Sequence, residues 1–247
     1  MIEYNILNPS FFIKAMKAIK EVVYEGYLEF GDGIRLFGIG PSRIQLFELT
    51  LGNDILDVVK SGYEDVPLDL GDLYKVLDRF KGGEIESLKL IYDDNCLTIR
   101  GKVGGRIKTF KRYAVDIDYR IDENPIPKLL KLPLDAVFKV EATAFIDCLK
   151  DCELFAEIFT MESLNDSILI SSVGNCGTSE TELPTTEIYS NQKASYSIPL
   201  VKKMLESTYN NEVIIMFKTD HPIAIHDKIS DTSRMVWFLG PRVDDDD

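Results

Sequence analysis

The sequence repeats one order of helical and strand-like segments, and this repetition restricts the fold more than any other feature. Residues 10–17 align without gaps with residues 143–150, so that Phe12 falls on Phe145, and the apolar residues of both segments recur at helical spacing. In each half a second helical segment and a further hairpin follow in the same order. A pattern that occurs twice in one chain predicts two similar domains, each with its own core.

Each half is predicted to be an α+β domain in which two helices lie on antiparallel sheet. Apolar periodicity predicts helices at residues 10–22, 69–81, 142–153 and 198–208. Turn residues between strand-like runs predict hairpins at residues 31–33, 93–95, 101–106, 165–167 and 220–222.

A polar segment with two prolines separates the two halves. Pro125 and Pro127 lack backbone donors and favour extended backbone, so residues 116–128 are predicted to connect the domains rather than to join a core. The predicted organisation is an N-terminal domain at residues 1–115, this connector, a C-terminal domain at residues 129–243 and an acidic tail at residues 244–247. A block of four aspartates predicts a solvated tail.

Composition limits the classes of protein to which the chain can belong. Lys and Arg number 28 against 41 Asp and Glu, so the net charge of −13 argues against a phosphate-binding surface spread evenly over the molecule. No apolar run reaches the ~20 residues that span a bilayer, and the N-terminus lacks a signal-peptide pattern, so no membrane partner is expected. The four cysteines are therefore predicted to be reduced thiols in a cytosolic compartment.

Two motifs resemble those of DNA sliding clamps of the proliferating cell nuclear antigen (PCNA) type. The run DGIRLFGIGPSRIQLFEL at residues 32–49 resembles a signature of that family, and WFLGPRV at residues 237–243, followed by acids, resembles its C-terminus. The first helix, the connector and the duplicated layout match in order, so the resemblance covers nearly the whole chain, and the short connector is more similar to archaeal members. One departure is Gly40, where the family usually has Asp.

The resemblance implies duplicated DNA-clamp (processivity fold) domains that assemble into a trimeric, pseudo-sixfold ring, with helices lining the hole and sheets forming the wall. Subunits of the family join by pairing edge strands, and the candidate edges are residues 106–113 and 178–185, the second limited by Pro184. The expected interface residues are Arg106, Lys108, Phe110, Arg112, Thr178, Glu180, Glu182 and Leu183.

The same resemblance implies that the four helices face duplex DNA. The expected DNA-facing cations are Lys14, Lys17, Lys20, Lys75, Arg79, Lys81, Lys150, Lys202 and Lys203. Together with eight acids they give the helices a net charge of only +1, and three of those acids surround Lys150. Without the resemblance, a solvated polar face on each helix would be the favoured interpretation. A clamp that slides needs only few, loose, sequence-independent phosphate contacts.

Client proteins of the family dock a short peptide between the connector and the surface of the C-terminal domain. The pocket residues that the resemblance implies are Ile39, Arg43, Ile44, Leu46, Ile126, Leu129, Pro222, Phe238, Leu239, Gly240, Pro241, Arg242 and Val243. Arg43 and Lys128 are expected at the rim. Period two along the strand also allows Ile44 and Leu46 to be ordinary core residues.

The resulting hypothesis is a non-catalytic processivity factor that tethers DNA polymerase, flap endonuclease and DNA ligase to duplex DNA and is loaded by an ATP-driven clamp loader. No cofactor or metal is expected. The cell compartment would be the cytoplasm, at the nucleoid, in an archaeal cell, or the nucleus in a eukaryotic one.

Two rival hypotheses stay open. One is a specialised subunit that works only with sister subunits in a heterotrimeric clamp, because the sequence does not distinguish a homotrimer from a heterotrimer. The other is a small α+β enzyme that uses Cys148 and Cys152, which lie one helical turn apart. Only His221 and His226 are available as imidazole ligands, and their odd spacing points them to opposite faces of a strand, so buried, unreactive thiols are the preferred interpretation.

Overall fold

A computed structural model describes residues 1–114, 125–185 and 191–242. These residues form two compact units. The first unit contains the described residues up to 114 together with Lys228–Met235, and the second contains Pro125–Asp227 and the described residues from Val236 onwards. Among the described residues, no helix combines the length and apolar character that crossing a membrane requires.

The first unit contains nine strands and two helices. The strands are β1 (Ile2–Ile6), β2 (Glu25–Phe30), β3 (Ile34–Ile39), β4 (Gln45–Leu51), β5 (Leu56–Lys60), β6 (Glu64–Asp69), β7 (Ile85–Asp93), β8 (Cys96–Val103) and β9 (Arg106–Tyr113), and the helices are α1 (Pro9–Val22) and α2 (Leu70–Asp78). One sheet has the order β5-β1-β7-β8-β9, and in the other the strands β4-β3-β2-β6 lie side by side.

Helix α1 begins where local sequence signals place it. Asn8 caps the helix because its side-chain oxygen accepts a hydrogen bond from the Phe11 amide at 3.1 Å, and Pro9 occupies the first turn, where no amide donor is needed. The apolar stripe that includes Phe12 and Met16 is buried, and α1 packs beside α2. The helix predicted at residues 10–22 is therefore confirmed.

Backbone conformation explains why the hairpins fall where turn residues occur in the sequence. Asp94 and Asn95, between β7 and β8, both have positive φ, at 49° and 56°, as a tight two-residue hairpin turn requires. Gly104 and Gly105 do the same between β8 and β9, at 52° and 75°. Gly104 and Gly105 therefore form the hairpin turn that was predicted within residues 101–106.

The second unit has the corresponding parts. Its strands are β10 (Ala136–Glu141), β11 (Ile158–Ser163), β12 (Ser167–Gly174), β13 (Gly177–Pro184), β14 (Lys193–Ser197), β15 (Glu212–Phe217), β16 (Ile223–Lys228) and β17 (Arg234–Leu239), and its helices are α3 (Ile126–Leu129), α4 (Ala142–Glu153) and α5 (Ile198–Glu206). The last residue of β16 and the first two residues of β17 belong to the first unit. The strands β13-β12-β11-β14 form one sheet, and β10-β15-β16-β17 lie side by side.

Aromatic side chains fill the core of the second unit. Phe138 lies 6.4 Å from both Phe145 and Phe217, measured between ring centroids, and all three side chains are fully buried. Trp237 is 1% exposed, and its indole Nε1 donates a hydrogen bond to the Ser207 hydroxyl at 2.9 Å. A buried indole needs such a partner, because an unpaired N–H inside a core is costly.

The structure departs from the sequence predictions at two helix boundaries. Pro127 lies in the first turn of α3 rather than in extended backbone, because a proline needs no amide donor there. Helix α3 thus crosses the predicted boundary between residues 128 and 129, while most of the connector lies outside the described residues. Helix α2 ends at Asp78, so Arg79 and Lys81 follow the helix instead of belonging to it.

Candidate functional site

The helices of the first unit present lysines on the side opposite to their buried stripe. Lys14 and Lys17 are exposed on α1, and Lys75 is exposed on α2. The ring of Tyr74 on α2 lies between two further ammonium groups, with Lys20 Nζ at 5.4 Å and Lys81 Nζ at 4.9 Å from its centroid. The two helices therefore share one polar face with a concentration of cations around Tyr74.

Acidic neighbours reduce the positive field of these helices. At least six of the nine expected DNA-facing cations form ion pairs: Lys20 with Glu21, Lys75 with Asp72, Lys81 with Asp78, Lys150 with Asp147, Lys202 with Glu153, and Lys203 with Glu206. Surface pairs of this kind are worth about 0–1 kcal/mol and exchange readily for other partners. Contacts of these helices to phosphates would accordingly be weak and mobile.

Strand β9 is an outer strand of its sheet, at the position expected for an assembly edge. Lys108, Phe110 and Arg112 lie on the side that faces α2: the Lys108 ammonium donates to the Arg79 carbonyl, Phe110 packs edge-on against Phe80 with centroids 5.7 Å apart, and Arg112 Nη2 lies 3.1 Å from Asp72 Oδ2. The other side of β9 is exposed and carries the interface candidates that the sequence analysis omitted, Ile107, Thr109, Lys111 and Tyr113.

Strand β13 is an outer strand of the second unit. Thr178, Glu180 and Glu182 are exposed on one side, whereas Leu183 alternates to the side of the sheet on which α4 lies. The two outer strands differ in charge, because β9 contains four cations and no acid and β13 contains two acids and no cation. The predicted edges are therefore open and electrostatically complementary.

The β3–β4 turn carries the first-unit residues that were predicted for a client pocket. Arg43 has a φ of 57°, so it belongs to the turn and not to a strand, and Ile44 next to it is 38% exposed. Leu46 is only 8% exposed and pairs with Ile39 in the sheet. It is therefore a core residue, as the second interpretation of the strand pattern allowed. Of the first-unit residues predicted for the pocket, Arg43 and Ile44 are the ones exposed to solvent in this turn.

Residue 40 is Gly where the resembled family usually has Asp, and the residues of the turn pack closely against this glycine. The Arg43 amide donates to the Gly40 carbonyl at 2.9 Å, and the Gly40 amide donates to the Gln45 carbonyl at 2.7 Å. A side chain at residue 40 would meet Gln45 Oε1 at 2.4 Å, and that oxygen already accepts a hydrogen bond from Ser42. The Gln45 side chain therefore occupies the space that a residue larger than glycine would need.

Several second-unit residues predicted for the pocket are core residues. Ile126, Phe238 and Leu239 are each 1% exposed, because α3 turns Ile126 inwards and β17 is buried along almost its whole length. Leu129, Pro222, Gly240 and Pro241 are half-buried, Arg242 is exposed with its amide bonded to the Ser195 carbonyl at 2.8 Å, and Val243 lies outside the described residues. Truncating a buried member of this set would remove core packing and lower the stability of the fold, so the variant would not measure client binding alone.

The paired cysteines of α4 are buried. Cys148 is 5% and Cys152 0% exposed, and burial raises the pKa of the Cys148 thiol to about 11. Burial also raises the pKa of Cys152. A reactive cysteine needs a lowered pKa and access, so the enzyme hypothesis loses its proposed nucleophile. The described residues include no group of three or more His, Cys, Asp or Glu side chains arranged to bind a metal.

A buried carboxylate in the first unit was missed by the sequence analysis. The side chain of Glu48 on β4 is 3% exposed and accepts from two guanidinium groups, with Arg35 Nη2 at 2.6 Å and Arg234 Nη2 at 2.9 Å. Arg35 also reaches Glu29 at 2.7 Å. The only sequence signal was an acid inside the apolar run QLFELTL, because a charge in such a run needs a buried partner.

Comparison with known proteins places this arrangement in context. No protein-family model matches the sequence. The chain is 24% identical over 249 residues to the DNA polymerase sliding clamp of Methanococcus vannielii, covering 96% of this chain and 97% of that protein. It is also 24% identical over 257 residues to the sliding clamp of Pyrococcus furiosus, covering 91% and 99%.

A solved structure extends the similarity from sequence to fold. PCNA from Thermococcus kodakaraensis superimposes with a TM-score of 0.84, at 21% identity, covering 98% of this chain and 100% of that one. The expected α+β clamp fold is therefore confirmed. By its fold and by sequence similarity along almost its whole length, the chain is similar to sliding clamps of the PCNA type.

Proposed function

We propose that this clamp assembles into a closed ring around duplex DNA and holds a DNA polymerase on its template without catalysing a reaction itself. The observation that carries the proposal is the pair of open sheet edges of opposite charge on a chain that has the clamp fold throughout. The relatives that match along their full length are named DNA polymerase sliding clamps, which supports the same activity here.

Assembly follows from the two edges. An unpaired outer strand invites pairing with another chain, and closure of a ring through these two edges leaves neither β9 nor β13 unpaired on any subunit. Because β9 is basic and β13 is acidic, two β9 strands repel each other, whereas β9 of one copy attracts β13 of the next. This head-to-tail contact uses two different surfaces of the same chain, so copies of this one chain could close a ring without sister subunits.

The helical faces suit a ring that slides. Ion pairs within the helices leave a small net charge for phosphates, and the helices lack the dense basic surface of a sequence-reading protein. Tight phosphate contacts would hold the ring at one position, whereas weak contacts permit movement along the duplex. Retention on DNA would then come from closure of the ring.

The oligomer mass tests this proposal first. Light scattering at micromolar concentration is expected to give three times the chain mass of 28.0 kDa. The physical reason is that each copy offers one basic and one acidic edge, and only a closed ring satisfies both on every subunit. A monomer at all concentrations, alone and mixed with candidate sister subunits, would contradict the ring.

Client proteins are proposed to dock at the surface around the β3–β4 turn, where Arg43 and Ile44 are presented to solvent. By this proposal a polymerase, a flap endonuclease and a DNA ligase each carry a short peptide with apolar anchors, and a clamp loader opens the ring on DNA. The chain would do this work at the chromosome, in the cytoplasm of an archaeal-type cell.

A charge reversal at residue 43 is expected to weaken client binding by up to about 30-fold, because it removes an attractive rim contact and adds a repulsive one, each worth at most about 1 kcal/mol. Arg43→Glu should leave stability within about ±0.5 kcal/mol, since Arg43 is an exposed turn residue. A labelled client peptide titrated into the wild type, Arg43→Glu and Ile44→Ser measures the effect. Lys60→Glu, an equal charge change at another exposed position, is the matched control.

The outcome separates the pocket from the ring. Equal peptide affinity for the wild type and for both turn variants, with trimers intact, would show that clients bind elsewhere. Ile126→Ala is unsuitable for this test, because Ile126 is buried and its truncation would cost about 2–5 kcal/mol of core stability.

A further inference from the structure

Tyr74 lies on α2, and three charged side chains contact it. The Lys20 ammonium, in the last turn of α1, is 5.4 Å from the centroid of the tyrosine ring, and the Lys81 ammonium, just after α2, is 4.9 Å from it. The Lys81 ammonium also donates to the Tyr74 hydroxyl at 2.7 Å, and this hydroxyl donates to Asp78 Oδ1 at 2.8 Å. One aromatic side chain therefore contacts cations from two separate segments of the first unit.

Contact with the ring restricts the freedom of both lysines. An ammonium group is attracted to the negative face of an aromatic ring, and the hydroxyl adds a directional hydrogen bond to Lys81. A long side chain that is already ordered loses less conformational entropy when it binds an anion. Tyr74 therefore prepares two positive charges for binding, although it has no charge of its own.

Asp78 is the carboxylate that a phosphate would replace. Lys81 Nζ lies 2.9 Å from Asp78 Oδ1, and both side chains are exposed. Hydrogen bonds from Lys81 and Tyr74 hold the pKa of Asp78 below its usual value, and the charge of Lys17 on α1 adds to this lowering. Exposed ion pairs are weak, so Lys81 can exchange Asp78 for a phosphate while it stays bonded to Tyr74.

We propose that Tyr74 is a positioning residue for duplex DNA, which holds Lys20 and Lys81 in place for phosphates of one strand. Each strand carries one phosphate per about 3.4 Å of helix axis, so two ammonium groups beside one ring can reach the same stretch of backbone. This inference rests on the proposed function, in which these helices face DNA, and it assigns a role in DNA binding to a neutral side chain.

Substitutions at residue 74 that leave the net charge unchanged test this role. Loosening one lysine should restore an ordering cost that corresponds to about a two- to tenfold loss of affinity. We therefore expect Tyr74→Phe, which loses only the hydroxyl, to weaken binding to a short linear duplex about threefold. Tyr74→Leu loses both ring and hydroxyl and should weaken binding about tenfold. Its slope of log affinity against log salt should also become shallower by about 0.9, as for the loss of one phosphate contact.

Two comparisons separate positioning from a structural effect. Tyr63→Leu is the matched control, because Tyr63 is an exposed tyrosine of the same unit whose hydroxyl donates to an acid, Asp32, at 3.1 Å. Its affinity and salt slope should equal those of the wild type. In a chain that already carries Lys20→Ala and Lys81→Ala, Tyr74→Leu should have no further effect, because the lysines that it positions are gone.

Fluorescence anisotropy of a labelled duplex between about 50 and 200 mM salt measures affinity and slope, and circular dichroism checks that each variant folds. Unchanged affinity and slope in the folded Tyr74 variants, with a wild type that binds the duplex, would overturn the role of Tyr74 and leave the proposed ring standing. An equal loss in the chain without the two lysines would also overturn it, because Tyr74 would then act by another route. A wild type without salt-dependent binding would overturn both this inference and the proposed contact of the helices with DNA.

Discussion

Replacing Arg35 by Met is expected to lower the free energy of unfolding of the first unit by about 3 kcal/mol, the lower end of the cost of breaking a buried ion pair. The carboxylate of Glu48 is 3% exposed, and Arg35 supplies both donors to its Oε2 atom, through Nε at 2.7 Å and Nη2 at 2.6 Å. Without them the buried charge retains Arg234, whose side chain is 51% exposed and already partly solvated.

Urea unfolding followed by far-ultraviolet circular dichroism measures this effect. Fluorescence of Trp237, the single tryptophan of the chain, reports on the second unit and should change less. Arg100→Met, at an exposed position on β8, is the matched control and should stay within about 0.5 kcal/mol of wild type.

The double variant Arg35→Met/Glu48→Leu separates the causes. Replacing a buried ion pair by apolar residues of similar size is often neutral, so most of the lost stability should return when the buried carboxylate is also removed. An Arg35→Met chain as stable as Arg100→Met would show that the buried charge is satisfied without Arg35.

The second large effect is expected on DNA. If the ring makes about four phosphate contacts, binding of the unloaded protein to a short linear duplex should fall about 100-fold between 50 and 200 mM salt, by counterion release. Retention on a circular duplex after loading should change little over the same range, because a closed ring leaves a circle only by opening. Cutting the circle should then release the protein.

Gel filtration of loaded circles before and after linearisation measures retention. Lys14→Ala with Lys17→Ala should slow loading without unfolding the protein, because both side chains lie on the exposed side of α1. Lys60→Ala, on β5, is the control for loss of a surface charge. Tight, sequence-specific binding to a short linear duplex would contradict a sliding ring.

Local signals in the sequence were sufficient for the main helices and several hairpins of the fold, although not for α3, which lies where an extended connector was predicted. The helices at residues 10–22 and 142–153 follow from apolar spacing, and hairpins form where Asp94-Asn95 and Gly104-Gly105 can adopt positive φ. These features depend on neighbours a few residues apart, so a linear sequence contains them. The resemblance of residues 32–49 to a clamp motif then indicated the fold that the structure has.

The sites were predicted less completely, because a site depends on which side of a strand each residue occupies. The sequence placed Ile44 and Leu46 on one face, yet the φ of 57° at Arg43 ends the strand pattern there and leaves Ile44 exposed while Leu46 is buried. Likewise, alternation along β9 turns Lys108, Phe110 and Arg112 towards the side that faces α2, and it turns Lys111 to the exposed side.

The sequence by itself determined the duplicated α+β layout, the hairpins and the charge of each edge strand, because each is a property of one continuous segment. Only the tertiary structure decided which residues of those strands are exposed, that Ile126 and Phe238 are core residues, and that Glu48 lies between Arg35 and Arg234. Glu48 and Arg234 are 186 residues apart in the sequence. Contacts of that range arise when distant strands pack together, and no local pattern specifies them.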